Sequence, residues 1–165
     1  MCSSDLTIAL AFPRADVPHP LDAVGVIFPR SDKRRILAAT FTSSKWAGRA
    51  PGDMALLRAF VGGFRGEGVL AEPDDALIEL ARQELGAIVG VTGKPVLGRV
   101  FRFERSNAQP VVGHLERLGA IRAAASKVPG LHVTGAAYDG VGIPDCVRQG
   151  TETAGAILTA ASRAS

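Results

Sequence analysis

Residues 135–145, Gly-Ala-Ala-Tyr-Asp-Gly-Val-Gly-Ile-Pro-Asp, constrain the local fold more than any other stretch. Glycines at 135, 140 and 142 allow a sharp backbone turn and a close approach to something flat or charged. Pro144 suits the first turn of a helix, where its missing N–H costs nothing. The free N–H groups of that first turn would point back toward whatever the glycine turn touches. An apolar run at 131–134 leads in, and a helical pattern over 147–161 leads out. Strand, turn and helix start together suit an electron-rich ligand edge. The same spacing serves a plain strand-to-helix turn without a ligand equally well.

The earlier chain is rich in strand signals. Residues 6–12, 24–28, 35–43, 54–61 and 96–105 read as strands, and the second and third of these read as a hairpin turning at Asp32-Lys33. Residues 13–20 carry three prolines and read as an extended loop. Residues 44–53 read as a loop holding Lys45, Trp46 and Arg49. The glycines from 62 to 68 read as a mobile loop. Pro73-Asp74-Asp75 opens a helix whose Leu77, Leu80, Ala81 and Leu85 recur at helical spacing. A second helix, over 115–127, carries a stripe of Leu115, Leu118, Ile121 and Ala125. The last helix has an inner face of Gly150, Ala154, Ile157 and Leu158, which allows close packing on a neighbour. The class is α+β or α/β. The short strand at 131–134 needs sheet neighbours that this chain does not supply.

Several functions are disfavoured by composition. A net charge of +3 with scattered arginines, one Trp and one Tyr offers no nucleic-acid arm or stacking platform. Two cysteines, Cys2 and Cys146, make neither a disulfide framework nor a zinc signature. His19 and His132 have no carboxylate or cysteine at ligand spacing, so no metal is expected. No apolar run reaches the ~18–20 residues of a membrane span. The first residues lack the pattern of a signal peptide, and a cytoplasmic location is the expectation. Residues 1–5 are set aside as a truncated or non-native start.

The remaining polar candidates have bland alternatives. His114, after Gly113, suits acid–base work but equally a helix cap or a buried hydrogen bond. Lys45-Trp46 could stack on an aromatic ligand, although packing is the commoner role of such a Trp. Asp139 and Asp145 bracket the glycine turn, and cap chemistry is the expectation for Asp145. Cys146 sits where a helix start would stabilise a thiolate, yet no partner base is visible and a structural role is expected. The glycine pairs at 66/68 and 140/142 lack the third glycine of a dinucleotide fingerprint.

The block from Gly135 to Gly150 resembles the C-terminal flavin-contacting motif of the protoporphyrinogen and coproporphyrinogen oxidases. Other blocks agree in order. Phe28-Pro-Arg30 resembles the family's hairpin, and Ala39-Thr-Phe-Thr-Ser-Ser-Lys-Trp46 with Arg49-Ala-Pro51 its Lys-Trp loop. Leu57-Arg-Ala-Phe-Val-Gly-Gly63 resembles its Leu-Arg-x-Phe-x-Gly-Gly segment. Gln109-Pro-Val-Val-Gly-His114 resembles its Pro-Gln-Tyr-x-x-Gly-His segment, with Ala108 and Pro110 departing from it.

The resemblance implies an FAD-dependent, amine-oxidase-like flavoenzyme that oxidises a porphyrinogen to a porphyrin in haem synthesis, with oxygen as acceptor. It implies a mixed-sheet substrate-domain segment at 6–110, then a C-terminal strand and helix, at 111–165, returning to the FAD-binding domain. By position, Gly140, Val141, Gly142 and Ile143 would contact the flavin. Phe103 stands where the family often has a Trp beside it. No residue is assigned as catalytic base. The family's N-terminal FAD half, with its glycine fingerprint, is absent from this sequence and is the implied partner. The resemblance leaves room for peripheral contact with the cytoplasmic membrane and for a homodimer. Two other readings stand beside it: a different FAD amine oxidase or desaturase, and a non-catalytic fragment or interaction module.

Overall fold

A computed structural model describes residues 2–63 and 67–164. The centre of the expected glycine loop, 64–66, lies outside the described residues. The chain forms two compact units, one made of Ser3–Asn107 and the other beginning at Ala108.

The first unit is a five-stranded sheet with one helix packed on it. Its strands are β1 (Cys2–Pro13), β2 (Gly25–Ile27), β3 (Ala38–Phe41), β4 (Met54–Gly62) and β5 (Leu97–Ala108), in the order β2-β3-β4-β1-β5. β2 and β3 pair antiparallel, as the hairpin signal predicts, and β4 pairs antiparallel with both β3 and β1. The expected third strand is shorter than the sequence suggests. It ends at Phe41, and Thr42–Lys45 form a single helical turn, α1. β1 begins before the expected Leu6, with Asp5 in register with Gly62.

Alternation decides the core. On β1, Leu6, Ile8, Leu10 and Phe12 are fully buried. They stand opposite Val61, Ala59, Leu57 and Ala55 of β4 on the same face of the sheet. Helix α2 (Asp74–Val89) joins its buried Leu77, Leu80, Ala81 and Leu85 to the same cluster. Asp74 and Asp75 occupy its first turn, where the helix dipole favours negative charge. Gly86 does not end the helix; Gly90 does, in the left-handed region at φ 71°.

β5 divides its side chains by face. A Cβ on Gly98 would stand 2.8 Å from Ile78 Cδ1 of α2, and Val100 packs on the core. On that face Arg102 donates to the carbonyls of Leu70 and Glu72, at 2.9 and 2.7 Å, and pairs with Asp74. Leu97, Arg99, Phe101 and Phe103 alternate with these residues and fall on the opposite face.

The second unit holds α3 (His114–Ala125) and α4 (Ile143–Ala164), joined by irregular chain. Two expectations fail here. Residues 131–134 form no strand, because none of the described residues from 109 onward forms a strand that could share their ladder. The helical stripes are not buried either: Leu118 is covered, but Leu115 is 77 % exposed, and Gly150, Ala154, Ile157 and Leu158 of α4 are all exposed. Amphipathic spacing reports a face to be covered, and nothing among the described residues of this unit covers it. Among the described residues, no helix is long and apolar enough to cross a membrane.

One electrostatic feature of α2 is testable. The Glu79 carboxyl is lowered to about 2, chiefly by hydrogen bonds from Arg82 and then Gln83. A carboxylate lowered in the folded state adds stability above its ordinary value, and that contribution is lost as pH falls toward about 2. An NMR titration should place Glu79 well below its neighbours, and Arg82→Ala should return it toward 4.5. An unmoved Glu79 in that variant would contradict the assignment.

Candidate functional site

The glycine turn forms as the spacing predicts. Gly135 and Gly140 take φ of 118° and 127°, a region L side chains rarely enter. At Gly140 a second reason for glycine is present. An added Cβ would lie 2.7 Å from the Asp145 carboxyl carbon. The Cβ of a residue at 142 would lie 3.0 Å from Asp145 Oδ2. Asp145 therefore fills the space beneath the turn. It lies inside the first turn of α4 rather than before it and pairs with Arg148 at 3.6 Å, so cap chemistry is not its role.

Gln149 holds the turn closed. Its side chain, 5 % exposed, accepts from the Gly135 N–H at 3.2 Å and donates to the Gly140 carbonyl at 3.3 Å. One buried amide thus ties both ends of the turn to α4. Sequence reasoning passed over this residue. The available signal was its position three residues after Cys146, on the helix face that also approaches the turn: Cys146 Sγ lies 3.8 Å from the same Gly140 carbonyl. Asp139 has a partner that sequence reasoning also missed, since Arg122 of α3 pairs with it. Arg148 donates to the Asp139 carbonyl at 3.4 Å, and its hydrogen bond to Glu152 raises its pKa further.

Gly140, Val141, Gly142 and Ile143 are brought together as one short exposed ridge. Val141 is 62 % and Ile143 81 % exposed. Among the described residues, the backbone N–H groups of Val141, Gly142 and Ile143 find no acceptor. The ridge offers unpaired donors at a helix start, flanked by two branched apolar side chains. These groups fit the edge of a flat heteroaromatic ring carrying carbonyl and imine acceptors, which a flavin has. Phe103 belongs to the other unit, on β5, and is 46 % exposed.

The other candidates settle into smaller roles. His19 Nδ1 accepts from the Leu21 N–H at 2.9 Å, and its ring packs near Phe41. His114 opens α3 and lines a cavity of about 200 Å³ with Gln109, Arg117, Leu118, Ile121 and Tyr138. Trp46 is half exposed rather than packed, with Lys45 Nζ 4.4 Å and the Arg49 guanidinium 5.9 Å from its ring. Among the described residues no cluster of side chains could hold a metal ion.

The family described as flavin containing amine oxidoreductase matches residues 6–158, and the chain belongs to that family. The coproporphyrinogen III oxidase of Bacillus subtilis (strain 168) is 35 % identical over 158 residues, covering 95 % of this chain and 34 % of that protein. A crystal structure from Exiguobacterium sp. 255-15, of a protein provisionally named protoporphyrinogen oxidase, superposes with a TM-score of 0.79 at 31 % identity. It covers 95 % of this chain and 35 % of its own. Reduced UDP-galactopyranose mutase shares the fold, with a TM-score of 0.66 at 18 % identity, over 83 % of this chain and 29 % of its own. The chain spans about a third of the length of the curated relatives it matches.

The Gln149 contacts generate a prediction. Gln149→Leu removes the acceptor of the part-buried Gly135 N–H and the amide donor to the part-buried Gly140 carbonyl, at a cost of about 1–3 kcal/mol for each group that water cannot reach. Gln149→Glu keeps an acceptor for Gly135 but loses the donor to Gly140. Chemical denaturation should rank wild type above Gln149→Glu above Gln149→Leu. Equal midpoints would show that the amide does not hold the turn.

Proposed function

We propose that this chain forms part of an FAD-dependent enzyme that oxidises a porphyrinogen to a porphyrin, with oxygen as electron acceptor. The observation that carries the proposal is the ridge at Gly140–Ile143. It presents unpaired N–H donors at a helix start, on a family member whose similar proteins are named for porphyrinogen oxidation.

A flavin, when bound, supplies a two-electron oxidant that no side chain can provide. The chain's own contribution is to bind and orient. The N–H groups of Val141, Gly142 and Ile143 would donate to the acceptor edge of the ring. Those donors and the positive end of α4 favour electron density arriving there. Gly140 keeps the turn in the shape that presents those donors, because any larger residue there meets Asp145. Val141 and Ile143 exclude water from its rim. No side chain of this chain is assigned as a base.

The test is direct. The full reading frame that encodes this chain should purify yellow. It should convert coproporphyrinogen III or protoporphyrinogen IX to the fluorescent porphyrin while consuming oxygen. Gly140→Val should lower flavin content several-fold. A flavin-loaded protein that leaves both porphyrinogens unoxidised in air would overturn the substrate assignment. A colourless protein that binds no flavin would favour the non-catalytic reading.

A further inference from the structure

The sheet of the first unit has two faces of different character. The face toward α2 is core. On the other, β1, which lies between β4 and β5, presents Thr7, Ala9 and the buried Ala11 between Asp5 and Pro13. Ala38 and Thr40 of β3 lie on the same face, separated from β1 by Leu56, Arg58 and Phe60 of β4. Larger apolar side chains stand at the flanks of β1, with Phe60 on β4 and half-exposed Leu97 and Phe101 on β5.

Two arginines rise from that face. Arg58 of β4 lies in register with Ala9 on one side and Thr40 on the other. Arg99 lies on β5, the strand beyond β1. Both are exposed, and among the described residues neither makes an ion pair or hydrogen bond. The contrast with Arg102, three residues along the same strand, is informative. Arg102 faces α2 and has two carbonyls and Asp74 as partners. Asp5, a carboxylate on the same face of β1, stands away from Arg58 at the Gly62 end of β4 and is itself engaged. Strands two places apart are separated by roughly 10 Å, comparable with the width of a tetrapyrrole macrocycle.

We propose that this open face is a substrate floor on which Arg58 and Arg99 each receive a carboxylate of a porphyrinogen, whose macrocycle lies over the small residues of β1. The proposal rests on the porphyrinogen reading above and adds the residues that select an anionic, polycarboxylate substrate. A guanidinium holds a carboxylate with two parallel N–H bonds, so two such forks fix the orientation of a flat ligand as well as its charge. The small residues of β1, with larger apolar ones on the strands beside it, leave room for a broad ring over a floor whose polar side chain is Thr7.

The experiment uses the full-length flavoprotein and its Arg58→Gln, Arg99→Gln and double variants, with Arg58→Lys and Arg99→Lys as conservative controls. Turnover of coproporphyrinogen III is followed by porphyrin fluorescence, and binding of the stable product porphyrin by its absorbance shift. Each Gln variant should raise KM about tenfold, the effect of losing one charged hydrogen-bonding contact, with kcat within a factor of about two. The double variant should be weaker than either, and Lys should recover part of the loss. Binding of the product porphyrin should weaken in the same order and become less sensitive to salt. Unchanged KM and unchanged porphyrin binding in the double variant would overturn the proposal while leaving the oxidase assignment standing. A lowered thermal midpoint with unchanged KM would also overturn it, showing that protein rather than substrate covers this face. If the wild type binds porphyrin in an arginine-dependent way yet oxidises no porphyrinogen, the oxidase assignment fails and the carboxylate site survives.

Discussion

Packing of α2 on a single face of the sheet is the interaction on which the rest of the first unit depends. Leu6, Ile8, Leu10 and Phe12 of β1 meet Leu77, Leu80 and Leu85 of α2 in one cluster. Burying a side chain of this size stabilises by about 1.5–3 kcal/mol relative to leaving it exposed. A one-residue slip of β1 would turn all four away from the helix, so the register is strongly fixed. That commitment has a second consequence. With every large residue of β1 directed to the helix, the opposite face of the same strand is left with Thr7, Ala9 and Ala11. A stable core and a floor of small side chains on β1 are thus two results of one alternation.

The second unit is organised by polar contacts more than by burial. Leu118 and Gln149 are its buried side chains among the described residues. The Gln149 amide and the Arg122–Asp139 pair set the path of the turn, while Val141 and Ile143 remain outside. The exposed Leu115, Ile157 and Leu158 belong to helices with no cover among the described residues of this unit. The relatives that this chain matches are about three times its length.

What was legible in the sequence follows from the range of the physics involved. The proline-led start of α2 and the glycine turn rest on contacts within a few residues, and both appear; the apolar runs at 6–12 and 54–61 also appear as strands, each completing the other's ladder. The segment at 131–134 was legible as apolar but not as irregular, because a strand exists only where a neighbour completes its hydrogen bonds. The same limit applies to the stripes of α3 and α4, which specify a face and not what covers it. Gln149 was missed for another reason. A glutamine inside a helix gives no pattern of its own, and its role shows only once the turn has folded back onto it. The open arginines were equally silent: Arg58, Arg99 and Arg102 look alike in sequence, and only the sheet separates the partnered one from the other two.

The central claim is that the ridge at Gly140–Ile143 receives a flavin. Amide hydrogen exchange on the full-length protein, compared with and without bound FAD, reads those donors directly. Slower exchange confined to Val141, Gly142, Ile143 and the first turn of α4, with α2 unchanged, is the predicted result. Exchange at 141–143 that is as fast with FAD bound as without it would contradict the account.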